Sequence, residues 1–120
     1  MGGHRDLMVW QRAMKLVKDI CAQTAGFPRH ELYGLASQLR RAAVSVPSNV
    51  AEGASRNSRG EFRQFIGNAR GSLAEVETQL EIAKDVGYIA EDTAKRLLLE
   101  VDEISRMLSG LRDWSHREVS

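Results

Sequence analysis

Cysteine is almost missing from this chain: Cys21 stands alone in 120 residues. One thiol closes no internal disulfide, which points to a reducing, cytoplasmic setting. Proline is nearly as scarce, with Pro28 and Pro47 only, and long stretches are left free to run as helix. No apolar run approaches the ~20 residues of a membrane span. The start, Met1-Gly2-Gly3-His4-Arg5-Asp6, has no apolar h-region of a signal peptide, and Asp6 stands where myristoylation wants Ser or Thr. Net charge is +1, which singles out no partner. What is present, 42% hydrophobic and 28% charged residues, suits one soluble globular domain and is too apolar for disorder.

Glycine and proline divide the chain into four amphipathic segments. The first runs from about residue 7 to 25 and stops at Gly26-Phe27-Pro28. Its stripe reads Trp10, Met14, Val17, Cys21, widened by Ala13, Leu16 and Ile20. In that phase Cys21 is a buried, inert thiol. The second runs from about 31 to 53 through Leu32, Leu35, Leu39, Ala42 and Val46. Pro47 lacks the N–H that would bond the carbonyl of Ala43, so this helix kinks at Pro47 or ends at Val46.

The third, about 59–86, opens on a capping box, Ser58-Arg59-Gly60-Glu61, and closes at Gly87. Phe62, Ile66, Ala69, Leu73, Val76, Leu80 and Ala83 form its stripe. The fourth, about 91–111, begins with Glu91-Asp92, acids suited to the positive end of a helix dipole. Ala94, Leu97, Val101, Ile104, Leu108 and Leu111 face inward, and residues 114–120 read as a patternless, mobile tail. No stretch alternates as a strand does. Four helices of roughly 30 Å with short connections predict an all-α, antiparallel up-and-down four-helix bundle in a single domain.

The near-zero charge hides a polarity. Residues 29–70 hold seven arginines against three glutamates (+4), and residues 71–103 hold nine acids against three bases (−6). Either the basic middle pairs with the acidic third and fourth helices, within or between chains, or Arg40, Arg41, Arg56, Arg59 and Arg63 form a phosphate-binding surface. Only Phe62 and Phe65 interleave with them, too few for base-specific stacking. Gly67 and Gly71 each cost about 0.8–1 kcal/mol against alanine in a helix, which suggests close approach of another backbone. Leu97, Leu98 and Leu99 cannot all enter one core, so one stays exposed or faces a partner chain.

Motifs for chemistry are weak. His4, His30 and His116 are scattered, so neither a metal nor a cofactor is expected. Gly53 to Gly60 lacks the Gly-Lys-Ser/Thr ending of a phosphate loop. Arg112 and His116 are too close for the arginine–histidine spacing of helical HEPN ribonucleases. The expectation is a protein without catalysis.

The run Leu35-Ala-Ser-Gln38-Leu-Arg40-Arg41-Ala-Ala-Val-Ser45-Val-Pro47-Ser-Asn49-Val-Ala51-Glu52-Gly53 resembles the bacterial four-helix bundle proteins encoded in intervening sequences of 23S rRNA genes. Val9-Trp10-Gln11, Phe62, Phe65, Ala69-Arg-Gly71-Ser72-Leu-Ala-Glu75, Gln79-Leu80 and Gly87-Tyr88-Ile89 extend the likeness over about residues 7–111. That resemblance implies a ring-shaped homopentamer with no assigned biochemical activity. The family is also similar to the accessory variability protein of diversity-generating retroelements, a strongly basic pentamer that binds nucleic acid and a reverse transcriptase. The partners it implies are therefore further copies of the chain, RNA or DNA, or a protein encoded nearby, and not a membrane. On the carried-over motif, Asn49 can satisfy a carbonyl freed by Pro47, and Glu52 can accept from Arg40, Arg41 or Arg56. Glu75 and Gln79, one turn apart, belong to the same inter-helix polar network or to a subunit contact. A brace for the proline turn is favoured over a ligand site.

Overall fold

A computed structural model describes residues 3–117. Four helices carry the chain: α1 (Met8–Thr24), α2 (Leu35–Ala54), α3 (Arg59–Asp85) and α4 (Glu91–His116), with 3-10 turns at Gly3–Asp6 and Arg29–Glu31. No strand occurs among the described residues. Each helix packs on its chain neighbours and α1 closes against α4. The result is the expected up-and-down bundle, 53 Å long and 22 × 20 Å across.

The helix boundaries have local causes. At the start of α3, the Glu61 N–H donates to Ser58 Oγ at 3.1 Å, while the Ser58 hydroxyl meets Glu61 Oε1 at 3.3 Å. Its end is marked by Gly87 at φ 82°, a left-handed conformation that glycine adopts without strain. The second helix begins at Leu35 rather than near residue 31. Glu31 Oε1 accepts the Leu35 N–H at 2.9 Å, and Tyr88 donates its hydroxyl to Glu31 Oε2 at 2.8 Å. A side chain from the α3–α4 connection thus holds the carboxylate that caps α2.

Pro47 does not end α2. The helix continues through it to Ala54, with Pro47 buried, so the alternative stop at Val46 is not used. Gly53 is a glycine on which a neighbouring helix presses. A Cβ there would lie 3.0 Å from the Cβ of Phe65 and 3.4 Å from the Phe62 carbonyl, so its bare backbone lets α2 meet α3 closely.

Leu16, Ile20, Leu39, Val46, Val50, Ile66, Val76, Leu80, Leu97, Ile104 and Leu108 are fully buried. Three sequence expectations are corrected by this core. On α1 the buried residues are Val9, Ala13, Leu16, Ile20 and Thr24, while Cys21 is exposed. The stripe is turned by about one residue, because α1 must face α2 and α4 together. Leu32 is exposed, since it precedes α2. The fourth helix runs on to His116, with Ser115 buried. Residues 114–117 are therefore ordered against the bundle, and the remainder of the expected tail, 118–120, lies outside the described residues. Among the three leucines, Leu97 is buried, Leu98 is half-buried and Leu99 is 65% exposed.

Candidate functional site

The five candidate arginines fall into separate places. Arg40 turns toward α1, where its Nε donates to Thr24 Oγ1 at 2.7 Å. Arg41, one residue on, lies on the outer seam of α2 and α3 with Gln38, Ser45, Ser72, Glu75 and Gln79. It has no hydrogen-bond or ion-pair partner among the described residues. Arg56, Arg59 and Arg63 gather at the start of α3.

Local ion pairs hold Arg56, and contacts distant in the chain hold Arg59 and Arg63. Arg56 bridges Glu52 at 2.9 Å and approaches Glu61 at 3.9 Å, with its guanidinium 4.9 Å from the Phe65 ring centre. Arg59 lies 4.6 Å over Trp114 and donates to the Arg117 carbonyl at 2.8 Å. Arg63 donates to the Ser115 carbonyl at 2.8 Å. The last carbonyls of a helix have no partner inside it, and these two guanidiniums supply one. Phe62 and Trp114 pack edge to face with ring centres 5.7 Å apart. Between them opens an apolar groove of about 820 Å³ whose lining includes Leu7, Arg56, Ser58, Arg59, Phe62 and Trp114. Trp114 was missed from sequence because the residues around it show no apolar period. Its signal comes from α3, 52 residues from Arg63 to Ser115 in the chain.

The second assembly is polar. Ser72 on α3 donates to Ser45 Oγ on α2 at 2.8 Å, and Asn49 Nδ2 donates to Ser45 Oγ at 2.9 Å and to the Ser45 carbonyl at 2.8 Å. Asn49 thus serves the Ser45 carbonyl, not that of Ala43, because a side chain at this position reaches back four residues. Glu52 takes Arg56 from its three possible donors. Gln79 is buried to 9% exposure and its Oε1 has no donor. Its amide and the Glu75 carboxylate border two open depressions along the α2–α3 seam, of about 370 and 380 Å³.

Charge is resolved differently on the opposite face. Arg12 bridges Glu103, Lys15 bridges Asp19 at 3.1 Å and Glu100 at 3.3 Å, and Arg96 approaches Asp19 at 3.8 Å and Glu100 at 3.5 Å. Glu100 and Glu103 of α4 therefore pair with α1, Asp102 and Asp113 pair within α4, and among the described residues no acid of α4 pairs with the basic middle of the chain. Burial and the neighbouring Asp19 raise the Glu100 carboxyl above its usual range, and hydrogen bonds to Asp19 and Glu100 raise the Lys15 ammonium. Ion pairs lace the α1–α4 face together, whereas among the described residues α2 and α3 are linked by ion pairs only at their connection, where Arg56 reaches Glu52 and Glu61.

Gly67 and Gly71 stand on the outer side of α3. Nothing lies within 4 Å of a Cβ built at either. The close approach expected of them does not occur inside this chain.

No three His, Cys, Asp or Glu side chains converge well enough to hold a metal ion among the described residues. Arg112 contacts Asp113 at 3.2 Å, and His116 is exposed at the end of α4. No described helix is long and apolar enough to cross a membrane.

Comparison with known proteins follows the geometry. A crystal structure of a protein with unknown function from the S23 ribosomal protein family of Bacteroides thetaiotaomicron VPI-5482 matches with a TM-score of 0.82 at 19% identity. The match covers 88% of this chain and 98% of that one, and it shows a shared fold. No curated protein matches the chain. The model of the 23S rRNA-intervening sequence proteins matches residues 5–110. With most of its length so matched, and with the bundle that this family's sequence pattern implies, the chain belongs to the 23S rRNA-intervening sequence protein family.

Proposed function

We propose that the chain is a non-enzymatic scaffold that assembles with copies of itself, in the ring of five that the family resemblance implies. It engages RNA or DNA phosphates through the arginine-rich end of α3. The observation that carries the nucleic-acid part is the gathering of Arg56, Arg59 and Arg63 beside Trp114, which is 43% exposed. Planar guanidiniums next to an open indole suit a phosphate backbone with stacking and without base-specific contacts. Arg40 and Arg41 sit roughly 20 Å away along α2, by the 1.5 Å rise per residue, outside that patch.

The test is fluorescence anisotropy with labelled single-stranded and duplex oligonucleotides. Three phosphate contacts, at a salt exponent of about 0.7–0.9 each, give roughly a 20- to 40-fold loss between ~50 and ~200 mM salt. Arg56→Ala/Arg59→Ala weakens binding and flattens that slope. Binding indifferent to salt, or none at 50 mM, removes the nucleic-acid part.

A second reading is a protein-interaction module that recruits an enzyme encoded nearby, without nucleic acid. The open α2–α3 seam, flanked by exposed Val44 and Ile82, favours it. A specific protein partner retained from nuclease-treated lysate supports this reading over the first.

A further inference from the structure

At the end of the bundle opposite the arginine cluster, the α1–α2 and α3–α4 connections meet through three side chains. Tyr88 Oη and Glu31 Oε2 lie 2.8 Å apart. His30 Nε2 lies 3.3 Å from that Tyr88 oxygen and 3.8 Å from Glu31 Oε2. The point equidistant from these three atoms falls inside their triangle and lies about 2.0 Å from each, which is the length of a zinc bond to imidazole nitrogen or carboxylate oxygen. An ion fits there without displacing a donor atom.

Two of the three donors are already held in place. The Leu35 N–H bonds the other oxygen of the Glu31 carboxylate at 2.9 Å, which orients that group. Tyr88 packs its ring against Phe27 with centres 5.3 Å apart, and its N–H donates to the Ala83 carbonyl at 2.8 Å. Outer contacts of this kind aim the ligands of metal sites. The His30 side chain is 73% exposed, so the outer side stays open to a water that completes the shell. Histidine, cysteine, aspartate and glutamate alone form no such set among the described residues. The third donor is a phenol 57 residues beyond Glu31, which is why scattered histidines carry no metal signal in the sequence.

We propose that His30, Glu31 and Tyr88 bind a divalent first-row transition ion, zinc above all. Mixed nitrogen and oxygen donors suit such ions, whereas calcium and magnesium take oxygen. On binding, the ion replaces the phenolic proton that joins Tyr88 to Glu31. That proton leaves to solvent and no electron moves. His30 coordinates through Nε2 as the neutral imidazole. One carboxylate and one phenolate then balance the two positive charges of the ion. The ion clips the two connections together, a role independent of nucleic acid and of self-assembly.

The experiment titrates Co(II) and Zn(II) into the full chain carrying Cys21→Ser, His4→Ala and His116→Ala, which removes the thiol and the other imidazoles. Co(II) is expected to give visible d–d absorption that saturates at one ion per chain and is displaced by Zn(II). Zn(II) is expected to give a tyrosinate difference spectrum. That spectrum should survive Tyr33→Phe, at the other tyrosine, and vanish in Tyr88→Phe. Tyr88→Phe keeps the packed ring and His30→Ala removes an exposed side chain, so both variants fold. Each should weaken Zn(II) at least ~10-fold, and the thermal midpoint should rise with Zn(II) far less than in the parent. No saturable binding, no tyrosinate signal, a signal that survives Tyr88→Phe, or an affinity unchanged in either variant overturns the site.

Discussion

Arg63 on α3 donates its guanidinium to the backbone carbonyl of Ser115 on α4, 2.8 Å away. The bond crosses from the first turns of one helix to the last turn of another, where a carbonyl has no helical partner. It explains how a segment without apolar period stays helical. With Arg59 bonded to the Arg117 carbonyl and stacked on Trp114, it fixes the final turn of α4 to the bundle.

Arg63→Ala is therefore expected to lower stability by about 1–2 kcal/mol, the range of a hydrogen bond involving a charged group at a half-exposed site. The effect should appear first at the end of α4. In a Trp10→Phe background, so that Trp114 is the sole indole, its fluorescence should change at lower denaturant than the far-ultraviolet circular dichroism. Coincident transitions at an unchanged midpoint would show that Arg63 does not hold this turn.

Glycine substitutions should separate by location. Gly53→Ala improves helix propensity by about 1 kcal/mol, yet its new methyl sits 3.0 Å from the Cβ of Phe65 and 3.4 Å from the Phe62 carbonyl. Backbone and Cβ atoms do not swing aside, so overpacking outweighs propensity and a net loss of about 1–2 kcal/mol is expected. Gly110→Ala on α4, with nothing within 4 Å, should instead gain about 0.5–1 kcal/mol. Urea midpoints of the two variants check the sign of each.

The physical reason some of this is legible in sequence and some is not lies in how far each signal reaches. Helix α3 could be read from residue to residue because its start, stripe and stop are all local: the Ser58–Glu61 box, the Phe62-to-Ala83 period and Gly87. The phase of α1 was ambiguous because Trp10, Met14, Val17 and Cys21 and the set Ala13, Leu16 and Ile20 are both apolar with helical spacing. Packing against two neighbours at once selects the second set, and that geometry is absent from α1 itself. The arginine cluster was legible as charge, but its partners are backbone carbonyls of Ser115 and Arg117, which no side-chain pattern announces. Asn49 and Glu52 could be placed beside the proline, while the serines that complete the network, Ser45 and Ser72, carry no distinguishing mark until α2 and α3 are side by side.

Acid should act through Glu31. The Leu35 N–H and then the Tyr88 hydroxyl bond its carboxylate, and together they hold its pKa below the ordinary glutamate range. A group with a lowered folded pKa contributes stability that is full above its unfolded pKa of about 4.3 and lost as pH falls through the folded value. The wild-type chain should lose this part of its stability as pH falls from the ordinary glutamate range to below it. Glu31→Gln should flatten that limb, and Tyr88→Phe should flatten it less, since the larger of the two bonds remains. Glu100, raised by burial and Asp19, has the opposite sign: its penalty is relieved as pH falls, so Glu100→Gln should steepen the acid limb. Urea unfolding at stepped pH distinguishes the three variants.

Gln79 shows what an unpaired amide inside the bundle costs. Its side chain is buried and its Oε1 lacks a donor within the chain. Leucine has nearly the same reach and no amide to leave unsatisfied. Gln79→Leu should therefore raise stability by about 1–2 kcal/mol, the desolvation cost of one unpaired amide. Urea unfolding at a fixed protein concentration is the measurement. An unchanged or lowered midpoint would mean that the amide oxygen finds a donor within the bundle, for which Arg41 on the same seam is placed.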